Sequence, residues 1–209
     1  MQLSPCPSAK HPTLIDRKGE KAGLFYERCG AKNGMNKDQQ PEPWLRGTLA
    51  DVAAVPRAVM HALELAREDI LRWCGGLTDD ELNARPAGIA PVAFHIRHIG
   101  CSADRLLTYA EGSQLTLAQL DSMKSELEPG ARSASIFSEF SEAIDRASAR
   151  IRTIGASRLE EARKVGRKEL PTTVGGLLVH LADHTQRHVG QAITTAKIVI
   201  AARGESGRG

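Results

Sequence analysis

Histidine is the residue type whose spacing in this chain suggests chemistry. The sequence has seven histidines, and five of them fall in two short segments, His95 with His98 and His180 with His184 and His188. His184 and His188 are four residues apart, so on a helix they lie on one face, one turn apart. Two imidazoles placed in this way can bind one ion at about 2.0–2.1 Å from each ligating nitrogen. The spacing therefore predicts a helical metal chelate.

A third ligand is expected from the helix that carries the other segment. We predict His98, because it lies on the side of that helix predicted to face the core, and we keep His95 as the alternative ligand. His180, one turn before His184, is a further alternative ligand. If they do not bind the metal, His95 and His180 are expected at the edge of the core or beside the ligands. Three neutral histidines leave a coordination position open to water or substrate, which is typical of a catalytic site. With no thiolate in the set, zinc, nickel, iron and manganese all fit.

The histidines also have a simpler interpretation. An HxxxH spacing arises by chance in a histidine-rich helix, and the rings can then face solvent or form hydrogen bonds within the core. Placement on the core-facing side argues against this, because a buried imidazole without a partner costs a few kcal/mol. The inward placement and the third histidine on a partner helix favour the metal site.

Long amphipathic helices are needed to position these side chains. Apolar residues recur at steps of three and four from Trp44 to Trp73, with Pro56 predicted to kink the helix or to lie in the first turn of a restarted one, and Gly75 ending it. Similar periods predict helices over about 92–110 and about 136–154. The last helix begins at Thr172 or Thr173. Its predicted inner stripe is Val174, Leu177, Leu181, His184, His188, Gln191, Thr195 and Ile198.

Short capped helices join the long ones. Thr78 with Glu81 and Thr116 with Gln119 have the spacing of capping boxes, which open helices. The charged segment 156–171 predicts a connection with one helical turn. The fold class is therefore all-α, a four-helix bundle with short connecting helices and an N-terminal extension.

The chain divides into three parts. Residues 1–42 mix Pro, Lys, Gly, Asn and Gln without a helical or strand period, which predicts an extension, either an arm or a disordered segment. Met35 and Met60 are alternative start positions, and initiation at Met35 would remove most of the extension and initiation at Met60 all of it. Residues 43–202 form the bundle, and residues 203–209, rich in Gly and Arg, form a flexible tail.

Composition excludes several classes of function. The 28 basic residues barely exceed the 25 acidic ones, so nucleic acid is not an expected partner. No run of 18 apolar residues and no apolar leader occur, so no membrane partner or secretion is expected. The four cysteines lack CxxC spacing and are interpreted as free thiols of a reducing compartment. We therefore expect a cytoplasmic protein.

Two motifs resemble a known family. The segments HIRHIG, residues 95–100, and HLADHTQRHVGQ, residues 180–191, resemble the DinB/YfiT-like family of metal-binding four-helix bundles, over roughly residues 43–202. The resemblance implies that His98, His184 and His188 bind a divalent metal. Gln191 belongs to the family's HxGQ ending, where it holds a metal-bound water or a ligand ring. The alternative interpretation of Gln191 is a buried glutamine that is hydrogen-bonded to another helix.

The resemblance also implies a class of activity. Members include S-transferases that use a low-molecular-weight thiol such as bacillithiol or mycothiol, and a thiol-dependent maleylpyruvate isomerase. We therefore expect a metal-dependent enzyme that activates such a thiol, or water, for S-transfer to or hydrolysis of a small electrophilic substrate, working as a homodimer. The alternative is a non-catalytic metal-binding bundle with a structural or stress-linked interaction role.

Two arginines are candidates for binding an anionic group of the substrate. Arg167 lies in the basic run before the last helix, and Arg105 lies on the His98 helix. A solvated charged loop is the alternative for Arg167, and an ion pair with an acidic residue at the core edge is the alternative for Arg105.

Overall fold

The computed structural model describes residues 40–206, with side chains described as far as residue 203. Apart from residues 40–42, the predicted extension 1–42 lies outside the described residues, as do residues 207–209. Six α-helices and one β-hairpin make up the described chain: α1 Ala54–Cys74, α2 Asp79–Asn83, α3 Val92–Ala110, α4 Leu117–Ser125, α5 Ser133–Arg152, β1 Ala162–Val165, β2 Leu170–Thr173 and α6 Val174–Ser206. Single 3₁₀ turns lie at Pro43–Leu45, Pro86–Gly88 and Ala156–Arg158.

The four long helices α1, α3, α5 and α6 pack around one apolar core, so the predicted all-α bundle is confirmed. Its largest fully buried side chains include Leu63, Ile70, Ile96, Ile99, Leu107, Ile144, Ile151, Leu178 and Leu181. Burial of such stripes is the main favourable term for helices in water. Within residues 40–206 no helix is both long and apolar enough to cross a bilayer.

The first helix is shorter than its apolar period predicts. Gly47 and Leu49 have positive φ angles of 67° and 58°, so the chain before Ala54 turns back instead of continuing as a helix. Pro56 lies in the first turn of α1, as predicted for a restarted helix, where its missing N–H is not needed. Gly75 caps the end through its N–H, 3.1 Å from the carbonyl of Leu71.

The two predicted capping boxes are present. The Thr78 hydroxyl accepts a hydrogen bond from the Glu81 backbone N–H, and the Glu81 side chain accepts one from the Thr78 N–H. Thr116 and Gln119 repeat this arrangement at the start of α4. These reciprocal bonds satisfy helix donors that would otherwise lack partners.

The connection before the last helix contains more than a helical turn. A 3₁₀ turn is followed by an antiparallel hairpin whose register runs from Ala162↔Thr173 to Val165↔Leu170. The prediction of a connection with one helical turn is therefore incomplete, because two strands of only four residues each are too short to show a clear alternation. Thr173 caps α6 by accepting the Gly176 N–H at 3.0 Å, as predicted.

The buried face of α6 drifts away from the predicted stripe. Gln191 and Ile198 are exposed, whereas Val189, Ala192 and Val199 are buried. The predicted stripe repeats every 3.5 residues, but a straight helix repeats every 3.6, so positions late in a long helix rotate out of the core. The inward position predicted for Gln191 is therefore wrong. The helix continues to Ser206, into the segment predicted as a flexible tail.

Candidate metal centre

Three histidines meet between α3 and α6. One ring nitrogen from each of His98, His184 and His188 lies within 4.8 Å of the other two. The Nε2 atoms of His98 and His184 are 2.8 Å apart. Two imidazole ligands of one tetrahedral zinc ion lie about 3.3 Å apart, so a small opening of the cluster fits a shared cation. The structure thus brings together the three residues predicted from the sequence.

Helix packing explains the position of the cluster. On α6, Thr185 and Val189 are buried, and they directly follow His184 and His188. Each histidine therefore lies at the edge of the buried stripe, with its ring half-buried. Across the interface, the His98 side chain is 19% exposed. The cluster therefore lies at the edge of the core, and its half-buried rings keep part of their surface exposed to solvent.

A carboxylate that the sequence analysis missed orients His98. Glu126, just after α4, is only 5% exposed, and its Oε2 lies 2.6 Å from His98 Nδ1. With the Nδ1–H donating to this oxygen, the His98 Nε2 lone pair is left for a cation. Burial raises the pKa of Glu126, but the hydrogen bonds from His98 and Arg105 outweigh it and hold the pKa below its usual value. Glu126 is therefore an ionised acceptor.

Arg105 forms the ion pair that was its alternative interpretation. Its Nη1 donates to Glu126 Oε1 at 2.6 Å, and its side chain is largely buried. The guanidinium compensates the buried carboxylate, whose other oxygen faces His98. While this pair is intact, Arg105 serves Glu126 and not an anionic substrate.

His95 lies behind the cluster and contacts one of its members. The ring is 5% exposed, and its Nδ1 is 3.0 Å from His188 Nδ1. A hydrogen bond between these two atoms requires a proton on one of them, and a proton on His188 leaves the Nε2 of that ring for a cation. Phe94 packs against the rings of His95 and His98 at centroid distances of 5.2 Å. His95 is thus placed to orient a ligand.

The remaining candidates lie at the periphery. His180 is exposed, with its ring centroid 5.4 Å from that of His184. Gln191 is exposed one turn beyond His188, and Arg167 is exposed in the turn between β1 and β2. None of the three contributes an atom to the cluster found among residues 40–206.

Three of the histidines, His95, His184 and His188, are neutral at neutral pH because the pKa of each is lowered. Burial, followed by the neighbouring imidazoles, lowers the pKa of His95 and of His184 to about 4. The pKa of His188 is lowered as well, first by burial and then by His98 and Arg187. A metal ligand must be deprotonated, so these lone pairs are available without competition from protons.

The metal-free protein is expected to lose stability as the pH falls from about 6.5 to about 4. In this window the unfolded chain protonates His95 while the folded protein does not, so unfolding takes up protons and is favoured by acid. His95 alone accounts for on the order of 2–3 kcal/mol of this loss. Urea unfolding of the chelator-treated protein at several pH values measures it.

The variant His95→Gln serves as the comparison, since glutamine keeps a hydrogen-bonding group and does not titrate. Its free energy of unfolding should fall less between neutral and acidic pH than that of the wild type. Identical pH profiles for the two proteins would show that His95 is not the group that titrates.

Comparison with known proteins places the chain in a family. A sequence model of the DinB superfamily matches residues 62–192, which is more than half of the chain and includes all three clustered histidines. A separate comparison with curated proteins found no match. Together with the four-helix bundle, the family match confirms the resemblance of the two histidine motifs. The chain belongs to the DinB superfamily.

Proposed function

We propose that this protein is a divalent-metal-dependent enzyme that uses a low-molecular-weight thiol or water to attack a small electrophilic substrate. His98, His184 and His188 hold the cation, and the reaction is S-transfer or hydrolysis. The observation that supports this most directly is the convergence of three ring nitrogens within 4.8 Å on rings that are only half-buried.

The donor set fits a divalent cation. Three imidazoles without a thiolate suit Zn, Ni, Fe or Mn, and His184 and His188 carry no proton charge at neutral pH that would repel the ion. The Nδ1 atom of His98 is hydrogen-bonded to Glu126, and the Nδ1 atom of His188 is hydrogen-bonded to His95. Their Nε2 atoms are the ones left for ligation, which is the arrangement that stabilises bound metal in other proteins.

The chain's own residues prepare the site for chemistry. When bound, a divalent cation lowers the pKa of a coordinated thiol or water towards neutrality and so supplies a nucleophile at neutral pH. Glu126 and Arg105 fix the tautomer and direction of His98, and His95 holds His188. All three ligands are supplied by α3 and α6, and their rings are only half-buried, which supports access of a substrate to the cation.

A non-catalytic role is the second candidate, and one observation favours it. The ligands come from two helices, so a cation would link α3 to α6 and stabilise the bundle without any reaction. In that case added metal raises the melting temperature, but no thiol or water substrate gains access to the ion.

The two candidates are separated by one set of measurements. Chelator-treated protein is reloaded with Zn²⁺, Ni²⁺, Fe²⁺ or Mn²⁺ and assayed with bacillithiol, mycothiol, glutathione or water against chlorodinitrobenzene and nitrophenyl acetate. The enzyme proposal expects a rate that requires both metal and His188 and that is lost in His188→Ala. A metal-induced rise in melting temperature, with rates equal to those of the metal-free protein for every thiol, would favour the structural role.

We further propose a small-molecule substrate and a homodimer, as the family resemblance implies, and a cytoplasmic location, as the unpaired spacing of the cysteines indicates. Light scattering of the purified full-length protein measures the molar mass in solution. A mass equal to that of one chain of 22.6 kDa would contradict the dimer.

A further inference from the structure

A cavity lies away from the histidines. It has a volume of about 580 Å³ and opens between α3, α4 and α5. On α3 it is lined by Arg97, Gly100 and Asp104, whose three- and four-residue spacing places them on a different face from His98. None of the three clustered histidines lines it. Its size is within the range of small-molecule binding sites.

The floor of the cavity is apolar and made largely of small residues. Phe140 and Ile136 supply apolar surface from α5, and Gly100 on α3 lies against Ala143. A Cβ added at Gly100 would be 3.0 Å from the Ala143 Cβ, so the two helices approach closely here and form the bottom of the groove. Ala118 covers it from α4. The short side chains of Ala118 and Ala143, with Gly100, leave room for this volume between the three helices.

Most charged groups at one end of the cavity are already paired. Arg150 donates to Asp104 at 2.6 Å and to Glu111 at 2.7 Å and 2.8 Å. Gln119 also donates to Asp104, at 2.6 Å. These groups therefore satisfy one another.

Arg146 is the less engaged cation at the same end. It lies one turn before Arg150 on α5 and lines the cavity, and its side chain is 67% exposed. Its contact with the Glu142 carboxylate is 3.5 Å, longer than a charge-assisted hydrogen bond. Ala118, which precedes Gln119, lies in the first turn of α4, where the helix dipole favours negative charge. Arg146 and the first turn of α4 thus both border the groove, which Glu139 also lines.

We propose that the cavity between α3, α4 and α5 binds an amphipathic carboxylate, with the apolar body of the ligand over Phe140 and Ile136 and its carboxylate at Arg146. Ten helical residues separate Ile136 from Arg146 on α5, which corresponds to about 15 Å. An extended medium-chain fatty acid spans this distance. The site is separate from the metal centre and does not depend on it.

Calorimetric titration of the full-length protein with decanoate, below its micelle concentration, tests the proposal. In Ala118→Trp the indole occupies the groove, and decanoate affinity should fall at least about tenfold. Ala149→Trp is the matched control, because Ala149 is exposed on α5 and does not line the cavity. This control should bind decanoate as the wild type does.

A second variant tests the carboxylate and does not depend on filling the groove. Arg146→Gln should weaken decanoate about tenfold, the usual cost of losing a charge-assisted hydrogen bond, and leave decanol binding unchanged. Arg132→Gln, an exposed arginine that does not line the cavity, should change neither.

Each outcome decides the proposal. No decanoate binding to the wild type, or equal losses in Ala118→Trp and Ala149→Trp, would overturn it. Equal weakening of decanoate and decanol in Arg146→Gln would overturn the placement of the carboxylate. Metal content is measured in every variant and should equal that of the wild type, so failure here is distinct from failure of the proposed enzyme function.

Discussion

The His184→Ala protein is expected to purify without its metal. The wild type should carry about one divalent ion per chain, and the variant less than about a tenth of that, because two imidazoles remain where three converge. Helix content should be unchanged, since the ring is half-buried at the edge of the stripe and the buried Thr185 beside it is untouched. Elemental analysis and circular dichroism of the same samples measure the two quantities.

His180→Ala is the matched control for this experiment. It removes an exposed histidine one turn earlier on α6 and leaves the three-nitrogen cluster intact, so metal content should match the wild type. Added metal should raise the melting temperature of the wild type and of His180→Ala, but not that of His184→Ala, because only a ligand bound by the folded state stabilises it. Equal metal content in the wild type and His184→Ala would contradict the site.

The helical chelate could be predicted from sequence because its geometry is local. Two residues four apart on a helix share a face whatever the rest of the chain does, so His184 and His188 required only the prediction of a helix. The long helices were accessible for the same reason, because their apolar periods repeat over many turns. His98 was identified because it occurs on a second amphipathic helix and within a motif that resembles the DinB family.

Some features of the site are not local, and they were missed. Glu126 is separated from His98 by 28 residues and follows a short helix, and nothing around it in the sequence sets it apart from other surface glutamates. Its burial and its two partners appear only when α4 packs on α3. The error for Gln191 has a different cause. A stripe that repeats every 3.5 residues rotates slowly away from the face of a helix with 3.6 residues per turn, and the difference is large enough at Gln191 to place it outside the core.

The hairpin before α6 shows a further limit. Each strand has only four residues, and the second one contains Pro171. The sequence of neither strand can therefore be distinguished from that of a charged loop. Its pairing is fixed instead by the positive φ angles of Gly166 and Glu169 and by contacts with α6, such as the Val174 N–H bonded to the Glu161 carbonyl at 3.0 Å. Arg167, for which a solvated charged loop is the alternative interpretation, lies in the exposed turn of this hairpin.

Glu126→Gln is expected to weaken metal binding about 10- to 100-fold, the range found when a partner of a ligating histidine is removed. The amide is nearly the same size, so the space between α3 and α4 stays filled. It lacks the negative charge that accepts from both His98 Nδ1 and Arg105, and a neutral oxygen makes a weaker bond to each. The His98 ring then loses its fixed tautomer.

Titration of the chelator-treated protein with Zn²⁺ in competition with a chelating indicator measures the dissociation constant. Glu128→Gln is the control, because that side chain is exposed two residues further on and its backbone carbonyl, which accepts from Arg97, is unchanged. The control should bind Zn²⁺ as the wild type does.

A readout beyond affinity separates orientation from general damage. In the wild type, nitrogen NMR of the metal-free protein should show His98 with its proton on Nδ1, because the carboxylate of Glu126 accepts it. In Glu126→Gln the His98 signals should move towards a mixture of tautomers, while those of His61, bonded to Thr48 at 3.0 Å elsewhere in the bundle, stay fixed. Unchanged His98 signals together with an unchanged dissociation constant would show that Glu126 only packs against the site. A shift confined to His98 would establish that a glutamate on a connecting segment sets the direction of the third ligand.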